Sequence, residues 1–342
     1  MNQYLIRSLL TLLLVASTLL TAQLAAAQLI YGLEGYGEAY TRSINLVSFS
    51  AADIGTVRTR ARITGVAAGQ YPVGLDFRPT TGELFMLGYD ATTQTGQLYT
   101  LNLASAGALP LASGPRALPL GGPAAIARIG FAFDPVTDRI RVTSGITQTN
   151  VSFDPTTGLV TTNVPLAYAA TDSHVGTTPT IGTVAYASVS PDGTSTAYAL
   201  DEVNNLLLTF EPAAGTLHTT APTAPLLEPF GSAVDLAIYY PSATSAGIAY
   251  LSTAAIDPSS GYSALYILDL ATGKMTSAGS PYANIGPFNR PAYVCDIAVQ
   301  PASTALATNA AQLAASLSLA PNPLASSTTL NFDLPHATHA SL

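Results

Sequence analysis

The chain has 342 residues, with 12 Lys or Arg against 20 Asp or Glu, and its formal net charge at pH 7 is −8. Charged residues make up 9% of the sequence, against about 25% in an ordinary soluble domain, and the missing basic surplus excludes a protein that binds nucleic acid through charge. A hydrophobic share of 48% excludes a disordered acidic chain, and a single Cys excludes a disulfide framework and a Cys-based zinc site. The abundance of Gly, Pro, Tyr, Thr and Ser favours strands and turns over helices.

The N-terminus has the pattern of a secretory signal peptide. Arg7 precedes an apolar run from Leu9 to Leu20, and the small residues Ala25 and Ala27 suit cleavage after Ala27. A membrane anchor is the rival interpretation, but the apolar run is shorter than the about 20 residues that a spanning helix needs. We therefore predict that residues 1–27 are removed and that the mature chain is exported and has no transmembrane segment.

Five apolar stretches recur along the middle of the chain. Their first residues lie 56, 54, 50 and 60 positions apart, and a period of this size is typical of repeat architectures. The stretches are Gly74–Pro79, Gly130–Pro135, Val184–Val189, Val234–Ile238 and Val294–Val299.

Three further strands are predicted after each of the first four stretches. Alternation such as that in Leu98–Leu103 marks strands with two different faces, and turn sequences such as Pro155-Thr156-Thr157-Gly158 separate them. The predicted strands are 83–89, 97–103 and 108–111, then 139–143, 150–153 and 159–162, then 196–200, 205–210 and 216–219, and finally 247–252, 264–270 and 274–277. Four short antiparallel strands per repeat predict an all-β fold of the β-propeller class.

The fifth stretch, Val294–Val299, has no partners after it, whereas the mature N-terminus offers three unmatched strands at 29–33, 44–49 and 57–63. Pairing the C-terminal inner strand with these N-terminal strands completes five four-stranded blades over residues 28–300 and removes the open sheet edges. A pair of β-sandwiches would not need this repeat. Six or seven blades would need extra strands in 107–127 or 165–179, where Pro and Gly favour loops.

The C-terminal part of the chain differs in composition. Residues 301–316 carry no charge and no aromatic side chain, which is typical of a linker. Residues 317–342 resemble the start of a C-terminal sorting domain of the type IX secretion system. The matching residues are Pro321, Asn322, Pro323, Leu330, Phe332 and Leu334. The resemblance implies a truncated sorting domain, recognition by the secretion machinery and a location outside or on the surface of a Gram-negative bacterium; a Pro-rich tail before one strand is the alternative.

Three segments of the repeat region resemble the domain-of-unknown-function 4394 family. They are Gly74–Leu84, Leu98–Asn102 and Gly130–Val142, of which the most distinctive part is Asp138–Val142. The resemblance spans roughly residues 30–300 and implies a secreted bacterial propeller; no biochemical activity comes with it.

Inner-strand carboxylates are the candidate site. Asp76, Asp235 and Asp296 fall within predicted first strands, and if all three face the axis they would suit a hard cation such as calcium. Alternatively, they accept backbone N–H bonds from neighbouring blades or turns. Arg141, which shares a strand face with Arg139, is a further candidate for binding a carboxylate, and pairing of these arginines with Asp134 and Asp138 is the structural alternative.

The sequence favours a non-catalytic binding or surface module over an enzyme. Ser, Thr, Tyr and Asn dominate the predicted loops, which suits a carbohydrate or protein ligand. The alternative is a calcium-dependent hydrolase or lyase with its site at the central channel. A glycosidase would need paired carboxylates, but the Glu residues lie mostly near turns or strand ends, and no Gly-x-Ser-x-Gly nucleophile elbow occurs.

Overall fold

The structure is a computed structural model that describes residues 28–35, 44–123, 128–187, 194–225, 231–240, 247–255, 262–279, 284–287, 293–301, 318–320 and 329–331. The predicted signal peptide, nearly all of the predicted linker and the Pro-Asn-Pro segment lie outside these residues. The chain divides into two compact units, Met1–Pro301 and Ala302–Leu342.

Five small sheets make up the first unit, and we call them blades 1 to 5. Blade 5 contains β1 (Leu29–Glu34), β2 (Asn45–Ser50), β3 (Asp53–Arg62) and β22 (Val294–Val299). Blade 1 contains β4 (Tyr71–Phe77), β5 (Leu84–Asp90), β6 (Thr95–Leu101), β7 (Ala108–Pro110) and β8 (Arg116–Ala117). Blade 2 contains β9 (Ile129–Asp134), β10 (Arg139–Ser144), β11 (Asn150–Phe153) and β12 (Val160–Thr162). Blade 3 contains β13 (Ala167–Tyr168), β14 (Thr183–Tyr186), β15 (Ala197–Asp201), β16 (Leu206–Glu211) and β17 (Thr216–Pro222). Blade 4 contains β18 (Gly231–Tyr239), β19 (Ile248–Ala255), β20 (Tyr262–Leu268) and β21 (Met275–Ser277).

The prediction of five four-stranded blades is confirmed. The two strands that the sequence did not predict, β8 and β13, have two residues each and extend existing sheets, β8 by pairing with β6 and β13 by pairing in parallel with β17. The segments 107–127 and 165–179 therefore add no sixth blade among the described residues.

Asp side chains shape several of the turns between outer strands. Oδ1 of Asp154 accepts the backbone N–H groups of Thr156 and Thr157, and the turn ends at Gly158 with a φ of 65°. Such an Asx turn satisfies backbone donors locally, and Gly adopts the left-handed conformation without a Cβ clash. Asp269 makes the same pair of bonds before Gly273.

The ring closes between the two ends of the first unit. β22 pairs antiparallel with β1, with Ile30 opposite Val299 and Gly32 opposite Ile297. Gln300 N donates to Leu29 O at 2.9 Å. The inner strands β4, β9, β14, β18 and β22 each lie beside the inner strands of two neighbouring blades. The predicted closure is thus confirmed.

Buried apolar residues lie between all five pairs of neighbouring blades. Five separate clusters of buried residues correspond to the five interfaces, and the one between blades 1 and 2 includes Leu87, Phe131 and Val142. Gly74 has no room for a side chain because a Cβ there would overlap Cβ of Phe131. Alternating strands thus bury one face against each neighbour, which is why a period-two pattern specifies the ring.

The second unit contains one short antiparallel pair among its described residues. β23 (Ser318–Ala320) pairs with β24 (Thr329–Asn331), with Leu319 opposite Leu330. Throughout the described part of the chain, we find no helix with the length and apolarity required to cross a membrane.

Candidate functional site on the inner strands

The three predicted aspartates form hydrogen bonds between blades. Oδ2 of Asp235 in blade 4 accepts the N–H of Ile297 in blade 5 at 2.9 Å. Oδ1 of Asp296 in blade 5 accepts the N–H of Leu75 in blade 1 at 2.8 Å. Oδ2 of Asp76 in blade 1 accepts the N–H of Phe133 in blade 2 at 2.7 Å. We call these three contacts the aspartate latches; they join four consecutive inner strands.

The other two junctions of the ring use different chemistry. Ala132 in blade 2 occupies the position that corresponds to Asp76 in blade 1, so β9 carries no latch toward blade 3. Between blades 3 and 4, Oγ1 of Thr183 donates to the carbonyl oxygen of Val234 at 2.7 Å. The inner ring therefore has three carboxylates on one arc of blades.

Burial perturbs the latch carboxylates strongly. Asp235 and Asp296 are each 5% exposed, whereas Asp76 is intermediate in exposure. Burial raises the pKa of Asp76 to about 7, although the N–H groups of Phe133 and Phe77 oppose the rise. Burial, with a smaller contribution from the Asp76 charge, raises the pKa of Asp235 to about 7. Burial and then the charges of Asp235 and Asp76 raise the pKa of Asp296 well above its ordinary value.

The charge of Asp76 acts on both Asp235 and Asp296, so the three carboxylates lie close enough to interact. A carboxyl group placed near others loses its proton less readily because two like charges repel. No set of three or more His, Cys, Asp or Glu within the described ranges is arranged to hold a metal ion. Each latch oxygen is instead directed at a backbone donor of the next blade.

Glu202 is a buried acid that sequence reasoning placed among residues near turns and strand ends. It directly follows β15 and is 1% exposed, and its Oε1 lies 3.1 Å from Thr183 Oγ1, whose hydrogen is donated to Val234 O. Its Oε2 lies 3.8 Å from Nε of Arg128 and has no hydrogen-bond partner among the residues that the structure describes. Burial raises its pKa to about 8, against the opposing charge of Arg128. The only sequence signal is the Asp201-Glu202 pair at the end of an apolar strand, which does not distinguish a buried acid from a turn residue.

Arg141 lies on the second strand of blade 2 and is directed toward blade 3. Its Nη1 donates to Oδ1 of Asn150 at 2.9 Å and to Oδ1 of Asn163 at 2.7 Å, and its Nε donates to Tyr186 Oη at 3.3 Å. The alternative in which the two arginines pair with Asp134 and Asp138 is wrong. Arg139 lies 3.5 Å from Asp154, and Asp138 pairs with Arg78 across the interface between blades 1 and 2. Pairing partners across a blade boundary cannot be inferred from spacing along one strand.

The fold and the inner-strand contacts define a five-bladed β-propeller whose blades are joined by buried carboxylates. The model of a domain of unknown function, DUF4394, matches residues 45–286, and the chain belongs to the DUF4394 family.

Several solved structures resemble the chain at low sequence identity. An exo-β-1,3-galactanase from Phanerochaete chrysosporium is 12% identical with a TM-score of 0.46, over 72% of this chain and 62% of the other. A chain of a nidogen–laminin complex is 11% identical with a TM-score of 0.43, over 80% and 98%. A putative 6-phosphogluconolactonase from Bacteroides uniformis is 13% identical with a TM-score of 0.38, over 73% and 81%. No curated protein matches the sequence significantly.

Proposed function

We propose that the chain is an exported, non-catalytic β-propeller that binds a carbohydrate or protein ligand at one end of its ring, outside or on the surface of a Gram-negative cell. The observation that carries this proposal is the set of aspartate latches. The carboxylates of Asp76, Asp235 and Asp296 accept backbone N–H groups of neighbouring blades. This role in holding the ring together favours a structural function over a catalytic one. The basic and apolar pattern of residues 1–27 supports export.

The end of the ring at which the inner strands begin is the favoured binding surface. At this end, the last residue of β10, Ser144, pairs with the first residue of β9, Ile129. Exposed aliphatic side chains follow in the adjoining loops of blades 2 and 3, namely Ile146, Val175 and Val203. Three exposed aliphatic residues in neighbouring loops suit the apolar face of a sugar ring or of a protein partner.

The proposal predicts binding that depends on this end of the ring. We expect the mature protein, whose N-terminal residue should be Gln28, to bind a component of a glycan array or of envelope protein fractions. The triple variant Ile146→Ser, Val175→Ser and Val203→Ser should bind at least about tenfold more weakly, since burial of each aliphatic side chain contributes about 1.5–3 kcal/mol. The matched control is Leu109→Ser with Leu159→Ser, which changes one exposed residue in the outer strand of blade 1 and one immediately before the outer strand of blade 2. An equal loss of binding in both variants would contradict the proposal. The absence of binding to both the glycan array and the envelope protein fractions would also contradict it.

A second candidate is a calcium-dependent hydrolase or lyase at the inner strands. Its one favourable observation is that the charge of Asp76 raises the pKa of Asp235 and that the charges of Asp235 and Asp76 raise the pKa of Asp296. The two candidates differ in their response to calcium. Our proposal predicts no saturable heat when calcium is titrated into the protein and no shift in the melting temperature. Tight binding that an Asp235→Asn substitution abolishes would favour the metal-dependent enzyme instead.

A further inference from the structure

The two faces of blade 2 differ in polarity. The face toward blade 1 carries the apolar side chains Phe131, Phe133, Ile140, Val142, Val151 and Phe153, all buried in one cluster. On the opposite face, the cross-strand pairs place Arg141 between Ala132 and Ser152, and Ser152 beside Thr161. The adjacent row contains Gly130, Thr143 and Asn150. Blade 2 therefore presents small and polar residues to blade 3.

The facing surface of blade 3 is apolar and has small residues at its second strand. Tyr186 pairs with Ala197, which pairs with Phe210, and Val184 pairs with Ala199. These side chains belong to the buried cluster between blades 2 and 3. Arg141 is 8% exposed and reaches this surface at Tyr186 Oη.

Arg141 is a buried cation without an acidic partner in the described part of the chain. Its three hydrogen bonds go to two amide oxygens and one hydroxyl group. The carboxylate of Asp134 is engaged elsewhere, by Val136 N, Thr137 Oγ1 and Ser195 Oγ. A buried charge is costly unless an opposite charge or a full set of hydrogen bonds compensates it.

The cluster also has more donors than acceptors. Both amide hydrogens of Asn150 are used by Val164 O and Pro212 O, while its Oδ1 accepts from Arg141. Within the described residues, Nη2 of Arg141 and Nδ2 of Asn163 donate no hydrogen bond, and neither is a fully buried atom, so both are open to solvent. The hydroxyl group of Tyr186 accepts from Arg141 and donates no hydrogen bond within these residues. Burial raises the pKa of Tyr186, so its hydroxyl group remains a donor at neutral pH.

Thr143 provides an independent sign of an unfilled polar requirement on the same face. Its side chain is fully buried two residues from Arg141, and its Oγ1 has no hydrogen-bond partner in the described ranges of the chain. An unsatisfied buried hydroxyl group typically costs about 1–3 kcal/mol. Native structures avoid such groups unless they serve a ligand, an ion or water.

We propose that the interface between blades 2 and 3 is a binding site for an oxyanion, a carboxylate or phosphate group, held by Arg141, Asn163 and Tyr186. The oxyanion supplies a negative charge for the guanidinium of Arg141 and accepts hydrogen bonds from Arg141, Asn163 and the hydroxyl group of Tyr186. Asn163, which is intermediate in exposure, forms the outer edge of the site. This inference does not rest on export or on a ligand at the end of the ring.

The test is a titration of the full mature chain with sodium phosphate and, separately, sodium acetate, each against sodium chloride at the same ionic strength. We expect saturable stabilisation by at least one of the two anions, and the anion that acts identifies the phosphate or the carboxylate arm. Arg141→Gln should abolish the effect. Asn163→Ala and Tyr186→Phe should each weaken binding by about tenfold, because each removes one hydrogen bond to a charged group.

Arg139→Gln is the matched control, because Arg139 shares the strand and the face of Arg141 but pairs with Asp154 near the surface. This variant should bind like the wild type. If Arg141→Gln fails to fold, Tyr186→Phe decides the matter, since it removes a single hydroxyl group. No saturable response in the wild type, or an equal response in the wild type and in Tyr186→Phe, overturns the proposal.

Discussion

An Asp235→Asn variant is expected to be more stable than the wild type at pH 8 and close to it at pH 4.5. Burial raises the pKa of Asp235 to about 7 in the folded protein. Between about pH 4 and pH 7, the native state therefore keeps a proton on Asp235 that the unfolded chain has released. The stability that this proton provides is complete below the unfolded pKa and is lost as the pH rises through the folded pKa. The wild type should therefore lose stability toward alkaline pH.

The Asp235→Asn substitution retains the hydrogen bond to the next blade but removes the carboxyl group that titrates. With its oxygen, the Asn side chain can still accept the N–H of Ile297, which Asp235 accepts in the wild type. Its amide group faces Ser252, the cross-strand partner of Asp235, whose buried Oγ has no hydrogen-bond partner among the described residues. Since a tenfold change in proton affinity corresponds to about 1.4 kcal/mol and relaxation reduces the full effect, we expect the variant to gain about 2 kcal/mol at pH 8.

The measurement is urea denaturation from pH 4.5 to pH 8.5 for the wild type, Asp235→Asn and Asp235→Ala. The Ala variant should lose about 1–3 kcal/mol at every pH, because the buried N–H of Ile297 is left without an acceptor. Asp269→Asn is the control: hydrogen bonds from Ala271 and Thr272 lower the pKa of that exposed carboxylate, so its contribution is complete above the unfolded pKa and should not change between pH 4.5 and pH 8.5. A wild type whose stability rises steadily from pH 4.5 to pH 8 would contradict the prediction, because Asp235 would then ionise in the folded protein without destabilising it.

The sequence predicted the strands and turns within each blade because their determinants are local. In Leu98–Leu103 a period of two residues specifies the strand, and Asp154 with Gly158 specifies a turn through bonds two to four residues away. Closure followed from the number of strands, because the unpaired Val294–Val299 needed partners that only the N-terminus offered.

The site was less predictable because its contacts join distant parts of the chain. The latch between Asp296 and Leu75 spans 221 positions, and an Asp in a strand has the same local pattern whether it faces a metal ion or a backbone donor. Both interpretations were open, and the structure shows the bonds to backbone donors. The neutral surroundings of Arg141 and the buried state of Glu202 likewise depend on side chains of a neighbouring blade.

A chain that ends at Tyr293 is expected not to form the monomeric propeller. The deletion removes β22, which pairs with β1 and contributes Val294, Ile297 and Val299 to the core between blades 4 and 5. Burial of each aliphatic side chain contributes about 1.5–3 kcal/mol, so the loss approaches the whole stability of a typical domain, about 5–15 kcal/mol. It also takes the Ile297 donor from Asp235 and exposes the edge of β1, which favours aggregation.

A chain that ends at Pro301 is the matched control, because it lacks only the second unit and should melt like the full chain. The decisive measurement is complementation: a peptide of residues 293–301, added to the shorter chain during refolding, should restore a monomeric, cooperatively unfolding protein. The same peptide with Asp296→Ala should restore less, because the Leu75 N–H then lacks its acceptor. If the chain ending at Tyr293 is monomeric and as stable as the control, β22 does not close the ring, and the two latches that involve Ile297 and Asp296 have no part in holding it.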